Sequence, residues 1–184
     1  VSVASIPFQS QKNIKGTQSP FISIPKGSLL PVATITFFAS LSEGAVADWS
    51  AIFLKSVTSL NDGNAALGFA VFSICMFAMR IMGDKISFKL GPSNTARYSA
   101  IVALTGSSIL LIFDSFLLLL LGFGLIGLGI AVIIPLAFSR AGNDKNISQG
   151  AAIASVATLG YGGMFLGPLI LGLIADVTSL KTSF

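Results

Sequence analysis

From Leu29 onward the chain is a succession of long apolar runs broken by short polar stretches. Five runs stand out, at residues 29–54, 65–82, 96–113, 116–138 and 149–174. Each is about 17 to 25 residues long, the length that crosses a hydrocarbon core of roughly 30 Å as an α-helix. The stretch 96–138 is interrupted only by Asp114 and Ser115. As one helix rising about 1.5 Å per residue it would reach about 65 Å, two membrane thicknesses, so a turn is expected at Asp114. A transmembrane barrel would also satisfy the backbone in lipid, but residues 116–121 read Phe-Leu-Leu-Leu-Leu-Leu, without the polar alternation a barrel wall needs. The predicted fold class is therefore all-α, a polytopic transmembrane helix bundle with five spanning helices.

Composition removes the water-soluble alternative. Apolar residues make up 53% of the 184 positions and charged residues 10%, against about 25% charged in an average soluble domain. Histidine is absent and Cys75 is the single cysteine. A Ser-His-Asp triad, a Cys-His pair, a His-ligated zinc and an intrachain disulfide are all excluded, and neither an enzyme nor a cofactor is expected. The net charge of +4 raises nucleic acid as a partner, but the cations are thinly spread between apolar runs, so none is expected. They serve better as topology signals, because cytoplasmic loops retain Lys and Arg. Lys12, Lys15 and Lys26 precede the first run; Arg80, Lys85, Lys89 and Arg97 flank the gap after the second; Arg140 and Lys145 follow the fourth. These nine of the 11 cations share one side, leaving Lys55 and Lys181 on the other. The amino end is thus expected in the cytoplasm.

Residues 1–28 are rich in Ser, Gln and Lys, carry Pro7, Pro20 and Pro25, and lack the apolar core of a signal peptide. They read as a leader tail or a polar linker between membrane domains. Five crossings put residues 177–184 outside, so a sixth helix is expected beyond them.

Three features rise above the apolar background. Glu43 is fifteenth in the 26-residue first run and Asp48 follows it, at depths where an acid such as Asp costs about 3 kcal/mol to insert. Five residues at about 100° each set the two about 140° apart around the helix, so they do not form a carboxylate dyad. Desolvation favours the neutral form of a carboxyl group, which makes Glu43 a candidate for proton or solute coupling, with Asp48 as second candidate. Trp49 beside them reads as a membrane-interface anchor. The second feature is the basic stretch 80–92, with Arg80, Gly83, Asp84, Lys85, Lys89, Gly91 and Pro92. Arg80 and Asp84 can pair if the helix extends that far. The third is Gly163, Gly167, Pro168 and Gly172 in the fifth run, where small residues and a proline permit close helix contact and a bend. Gly122-Phe-Gly124-Leu-Ile-Gly127 matches the dinucleotide fingerprint, with Asp144 near the position of the ribose acid. No strand precedes it, and the glycines read as helix packing.

Gly83-Asp84-Lys85-x3-Lys89-x-Gly91 between the second and third runs resembles the loop signature of the major facilitator superfamily, and Gly163-x3-Gly167-Pro168 in the fifth resembles its glycine-proline helix signature. The run from Glu43 and Gly44 through Asp48, Trp49 and Ser50 is similar to the seventh helix of its bacterial sugar-permease-like members. The resemblance implies the carboxy-terminal half of a secondary transporter, five helices of a six-helix half, with residues 1–28 as the central cytoplasmic linker. It implies as partners the lipid bilayer, the amino-terminal half and a small solute. It also implies roles: Arg80, Gly83, Asp84, Lys85 and Lys89 in the cytoplasmic gate loop, and Gly163, Gly167 and Pro168 in helix packing. Lys85 and Lys89 stand where the family's stronger form has arginines, which removes a bidentate fork from the loop. Two alternatives remain beside it: a non-transporting scaffold or receptor-like bundle, and an intramembrane hydrolase, which would lack a histidine base.

Overall fold

The computed structural model describes residue 25 and residues 27–58 and 62–184. The linker reading of residues 1–28, with Lys12, Lys15 and Lys26, falls almost wholly outside the described residues. The elements are α1 (Leu29–Thr58), α2 (Asp62–Ala65), α3 (Leu67–Leu90), α4 (Pro92–Ile112), α5 (Phe116–Ile130), α6 (Ile133–Gly142), α7 (Gln149–Val177) and α8 (Leu180–Ser183), with no strand among the described residues. Five helical stretches are long and apolar enough to cross a membrane: Leu29–Thr58, Gly63–Leu90, Pro92–Ile112, Phe116–Gly142 and Gln149–Val177. The chain is an integral membrane protein by this measure, and α4 and α5 turn back on each other around Asp114 as expected.

Many serines and threonines sit in these apolar helices with the hydroxyl folded onto their own backbone, although the buried Ser50 hydroxyl has no such partner. Thr34, Thr36, Thr105, Ser108 and Thr158 all donate to the carbonyl four residues earlier at 2.8 to 2.9 Å. A hydroxyl satisfied in this way needs no water.

One expectation needs correction. Residues 80–90 are not a loop: α3 continues to Leu90, and the whole corner is compressed into Gly91, whose φ of 80° is left-handed. Glycine occupies that region without steric cost, and Pro92 at the start of α4 supplies the fixed φ that suits a first helical turn. Charge marks the approach to water, whereas the Gly-Pro pair marks the end of the helix. The fourth run crosses as one span, Phe116–Gly142, with an irregular turn inside it. Pro135 has no N–H for the carbonyl of Ala131, and the helix breaks at Ala131–Val132 before resuming as α6.

α1 lies along α7, while α5 runs between α3 and α4. Glycine sets the closeness of both arrangements. On α5, Gly122 and Gly129 face α4 and Gly124 and Gly127 face α3; a Cβ at Gly129 would stand 2.6 Å from the Ser99 carbonyl, and one at Gly127 would collide with that of Phe72. The fingerprint glycines are thus packing residues. Phe53, Phe72, Leu110, Leu119 and Phe123 fill the main core, and Leu29, Ala33, Ala137, Ala141, Ala152 and Val156 form a second cluster beside it. The outer faces are apolar too, with Ile74, Phe77, Leu104, Leu117, Phe165 and Leu173 exposed, the inverse of a water-soluble bundle.

Polar contacts mark the two ends. Ser28 Oγ donates to Asp144 Oδ2 at 2.7 Å, joining the start of α1 to the α6–α7 connection. Val32, Ser93 and Arg140 line one cavity of about 250 Å³ at this end. At the other, Lys181 Nζ donates to Asp114 Oδ1 at 2.6 Å, and the Phe184 ring meets Phe53 and Phe123 edge-on with centroids 4.9 and 5.8 Å away.

Candidate functional site

Glu43 is the fifteenth of the 30 residues of α1. Its neighbour Gly44 is buried, and a Cβ there would collide with the Met164 carbonyl of α7. Pro168 is the reason that carbonyl is free: a proline four residues on has no N–H to give it. Close contact on the Gly44 side leaves Glu43 turned off the seam, with its side chain 23% exposed. There it meets Arg80 of α3, whose Nη2 lies 3.5 Å from Glu43 Oε1. Arg80 sits ten residues, about 15 Å of helix, before the end of α3. It therefore lies within the span and not in a flanking loop. Its ion-pair partner is Glu43, not Asp84, which forms no ion pair among the described residues.

The pair separates two cavities and borders both. One, of about 250 Å³, is lined by Thr36 and Ser40 of α1, Ile134 and Phe138 of α6, and Gly160, Tyr161 and Met164 of α7, together with Glu43 and Arg80. The second, of about 290 Å³, lies between α1 and α3 and adds Phe69, Phe72, Ser73, Met76 and Phe77 to the same two charged residues. Arg80 also borders a third, larger cavity of about 470 Å³ near the Gly91 corner, which contains Asp84, Ser87 and Ser139 but not Glu43. Isolated charges at this depth would be costly, and pairing beside hydratable cavities lowers that cost.

The other sequence candidates fall into separate places. Asp48 is exposed on a different side of α1. Trp49 is turned inward rather than anchoring at an interface: its Nε1 donates to the Pro168 carbonyl at 3.1 Å, and its ring would lie 2.9 Å from a Cβ at Gly172. Gly83 is buried against Val132, while Lys85 and Lys89 are exposed on the last turns of α3, away from Glu43. Gly163 and Gly167 are buried in the seam, where a Cβ on either would strike a backbone carbonyl of α1, from Phe37 and Leu41 respectively. Thr36, Ser40, Ser73 and Tyr161 line the site without having been singled out by sequence. Thr36, Ser40 and Glu43 recur at steps of four and three, a helix-face periodicity that carries the signal.

Relatives carry the same kind of sequence. An uncharacterized transporter of Sinorhizobium fredii is 38% identical over 161 residues, covering 88% of this chain and 43% of that protein. An uncharacterized MFS-type transporter of Yersinia pestis is 33% identical over 165 residues, covering 90% and 43%. The membrane protein MosC of Rhizobium meliloti is 34% identical over 152 residues, covering 83% and 37%. The chain thus spans about two fifths of the length of these relatives. No family model and no solved structure matches it.

Proposed function

We propose that this chain, which belongs to the major facilitator superfamily, is the carboxy-terminal half of a secondary transporter that carries a small solute by alternating access. The observation that carries the reading is an acid and an arginine paired in the middle of two spanning helices with a cavity on either side. A charged pair at that depth is expensive as scaffolding and useful as machinery. Glu43 carries the coupling proton: a carboxyl that loses and regains its proton alternates between holding and releasing Arg80. That change biases one arrangement of the helices over another. The Gly163–Gly167–Pro168 seam lets α7 slide against α1, and Asp84, Lys85 and Lys89 act at the cytoplasmic end of α3. Partners in this reading are the amino-terminal half, the bilayer and the solute.

Glu43→Gln tests it, because the amide keeps size and much of the hydrogen bonding but cannot titrate. The full-length variant in proteoliposomes is expected to lose uptake against a gradient while keeping counterflow of a radiolabelled solute that stabilises the purified protein. Asp48→Asn is the control and retains both. Accumulation by Glu43→Gln equal to the parent's removes Glu43 from coupling. Orientation is read separately in a Cys75→Ala background: a cysteine at Ser179 is expected to react with an impermeant thiol reagent added outside cells, and one at Asn143 is not.

A further inference from the structure

We infer that Arg80 is the docking group for the solute and that the solute is a small organic carboxylate bound together with one proton on Glu43. The inference rests on the transporter reading and names its substrate class. A guanidinium presents five N–H donors in a planar fork. Among the described residues Arg80 uses it once, through Nη2 to a single carboxylate oxygen at 3.5 Å. A committed bidentate Arg–carboxylate pair closes to about 2.7–2.9 Å with two parallel bonds. The fork is therefore largely unfilled among the described residues, and Arg80 borders all three cavities, whereas Glu43 borders two. Within this chain its side chain is 46% exposed and that of Glu43 23%. The better presented charge of the pair is the positive one.

Charge balance then selects the co-bound proton. Arg80 and ionised Glu43 sum to zero. A monoanion seated on the guanidinium withdraws the counter-charge of Glu43 and leaves the site at minus one, which protonation of Glu43 brings back to zero. Anion and proton accordingly bind one to one, and the loaded site crosses the membrane without net charge. The groups facing Glu43 support this balance: α3 contributes Arg80, α7 contributes Tyr161, and α6 contributes only Ile134 and Phe138. Asp84 lines the third cavity, and Asp48 lies on another side of α1. A neutral solute would leave the Arg80 donors without a charged acceptor, and a cation would be repelled by them. Hydroxyls of Ser40 and Tyr161 on one side of the pair and the rings of Phe69, Phe72 and Phe77 on the other suit an anion with one polar and one apolar part.

The test is thermal stabilisation of the purified full-length protein by matched solutes: lactate with lactamide, benzoate with benzamide and benzylamine, gluconate with glucose, each at pH 5.5 and 7.5. Carboxylates are expected to bind and their neutral or cationic counterparts to fail. Apparent affinity should weaken by about tenfold per pH unit wherever Glu43 is ionised in the free protein, as uptake of one proton requires. Glu43→Gln should bind the same carboxylate with no pH dependence. Arg80→Gln should lose it at least tenfold, and Glu43→Gln with Arg80→Gln, which strands no charge, should fold and also fail to bind. Equal or better binding of amides, glucose or benzylamine overturns the inference, as does a panel in which no carboxylate binds. Proteoliposome flux of the panel separates the two claims. A neutral solute that is carried defeats the substrate class and leaves the transporter standing, whereas a bound carboxylate that no condition moves defeats the transporter and leaves the anion site.

Discussion

Two seams in this bundle are built with one device and differ in what they carry. Along α5, Gly122, Gly124, Gly127 and Gly129 let α3 and α4 close in from both sides, and the space between is filled by Phe72, Leu110, Leu119 and Phe123. Along α1 and α7, Gly44, Gly163 and Gly167 bring the backbones equally near, but Glu43 stands one residue from the contact, facing Arg80 and two cavities. Small-residue spacing therefore reports closeness alone. The seam with a role beyond packing is marked by charge at depth, because an apolar contact gains nothing from an acid that costs about 3 kcal/mol to insert.

The sharpest way to break the comparison is to thicken both seams. Gly163→Leu and Gly127→Leu each drive a side chain into a backbone carbonyl, and carbonyls cannot rotate out of the way. Overpacking of this kind costs about 1–3 kcal/mol or more. Both variants are expected to lose monodisperse folded protein on size-exclusion chromatography. Gly124→Ala is the contrast: its Cβ meets only the Cys75 Sγ and Val71 Cγ1 atoms at 3.2 Å, which can give by a few tenths of an ångström, so it should elute and melt near the parent. If Gly163→Leu folds normally, the α1–α7 approach is not the close one described.

A smaller effect separates the seams by function. Asp84 is one helical turn beyond Arg80 and lines the third cavity with it. Asp84→Asn keeps the shape, removes a charge near the arginine, and is expected to reduce transport several-fold in a variant that inserts and folds normally. Glycine substitutions tolerated along α5, such as Gly124→Ala, should leave transport at the parent rate. Unchanged transport in Asp84→Asn would reduce the end of α3 to a topology signal.

Much of this architecture is legible in the sequence. Spans are set by runs of apolar residues against a fixed membrane thickness, and the Asp114 turn follows from length alone. The helical nature of residues 80–90 is not visible in polarity, since charged side chains are compatible with helix; Gly91-Pro92 is the signal that ends it. The fourth run reads as one span and is one, and Pro135 marks the irregular turn inside it by its missing N–H. The depth of Glu43 is plain from counting residues. Its partner is not, because the Arg80 contact is set by how α1 and α3 pack, and placing Arg80 in a flanking loop counted it as a topology cation.

The smallest effect concerns how each seam is fastened at its end. The α4–α5 turn is tied through Asp114 to Lys181, and the start of α1 is tied through Ser28 to Asp144. The Asp144 carboxyl is held below its ordinary 3.8, first by the hydrogen bond from Ser28, then by the backbone N–H of Asn146 and the nearby Arg140 charge. A carboxyl whose proton affinity is lower in the folded state contributes stability that is present above its unfolded value and is lost as pH falls through the folded one. Ser28→Ala is therefore expected to lower the thermal midpoint slightly and by the same amount at pH 7 and pH 5. The gap from the parent should close only at pH values below about 3.8, where Asp144 takes up its proton in both proteins. Asp144 lies in a connection outside the spans and is still reached by solvent, so screening keeps the gap small. Melting curves of the two proteins in detergent across pH 3 to 7 check the sign: a gap that widens on acidification would mean that the Ser28 bond favours the protonated carboxyl, and the fastening of the α1 end would have to come from elsewhere.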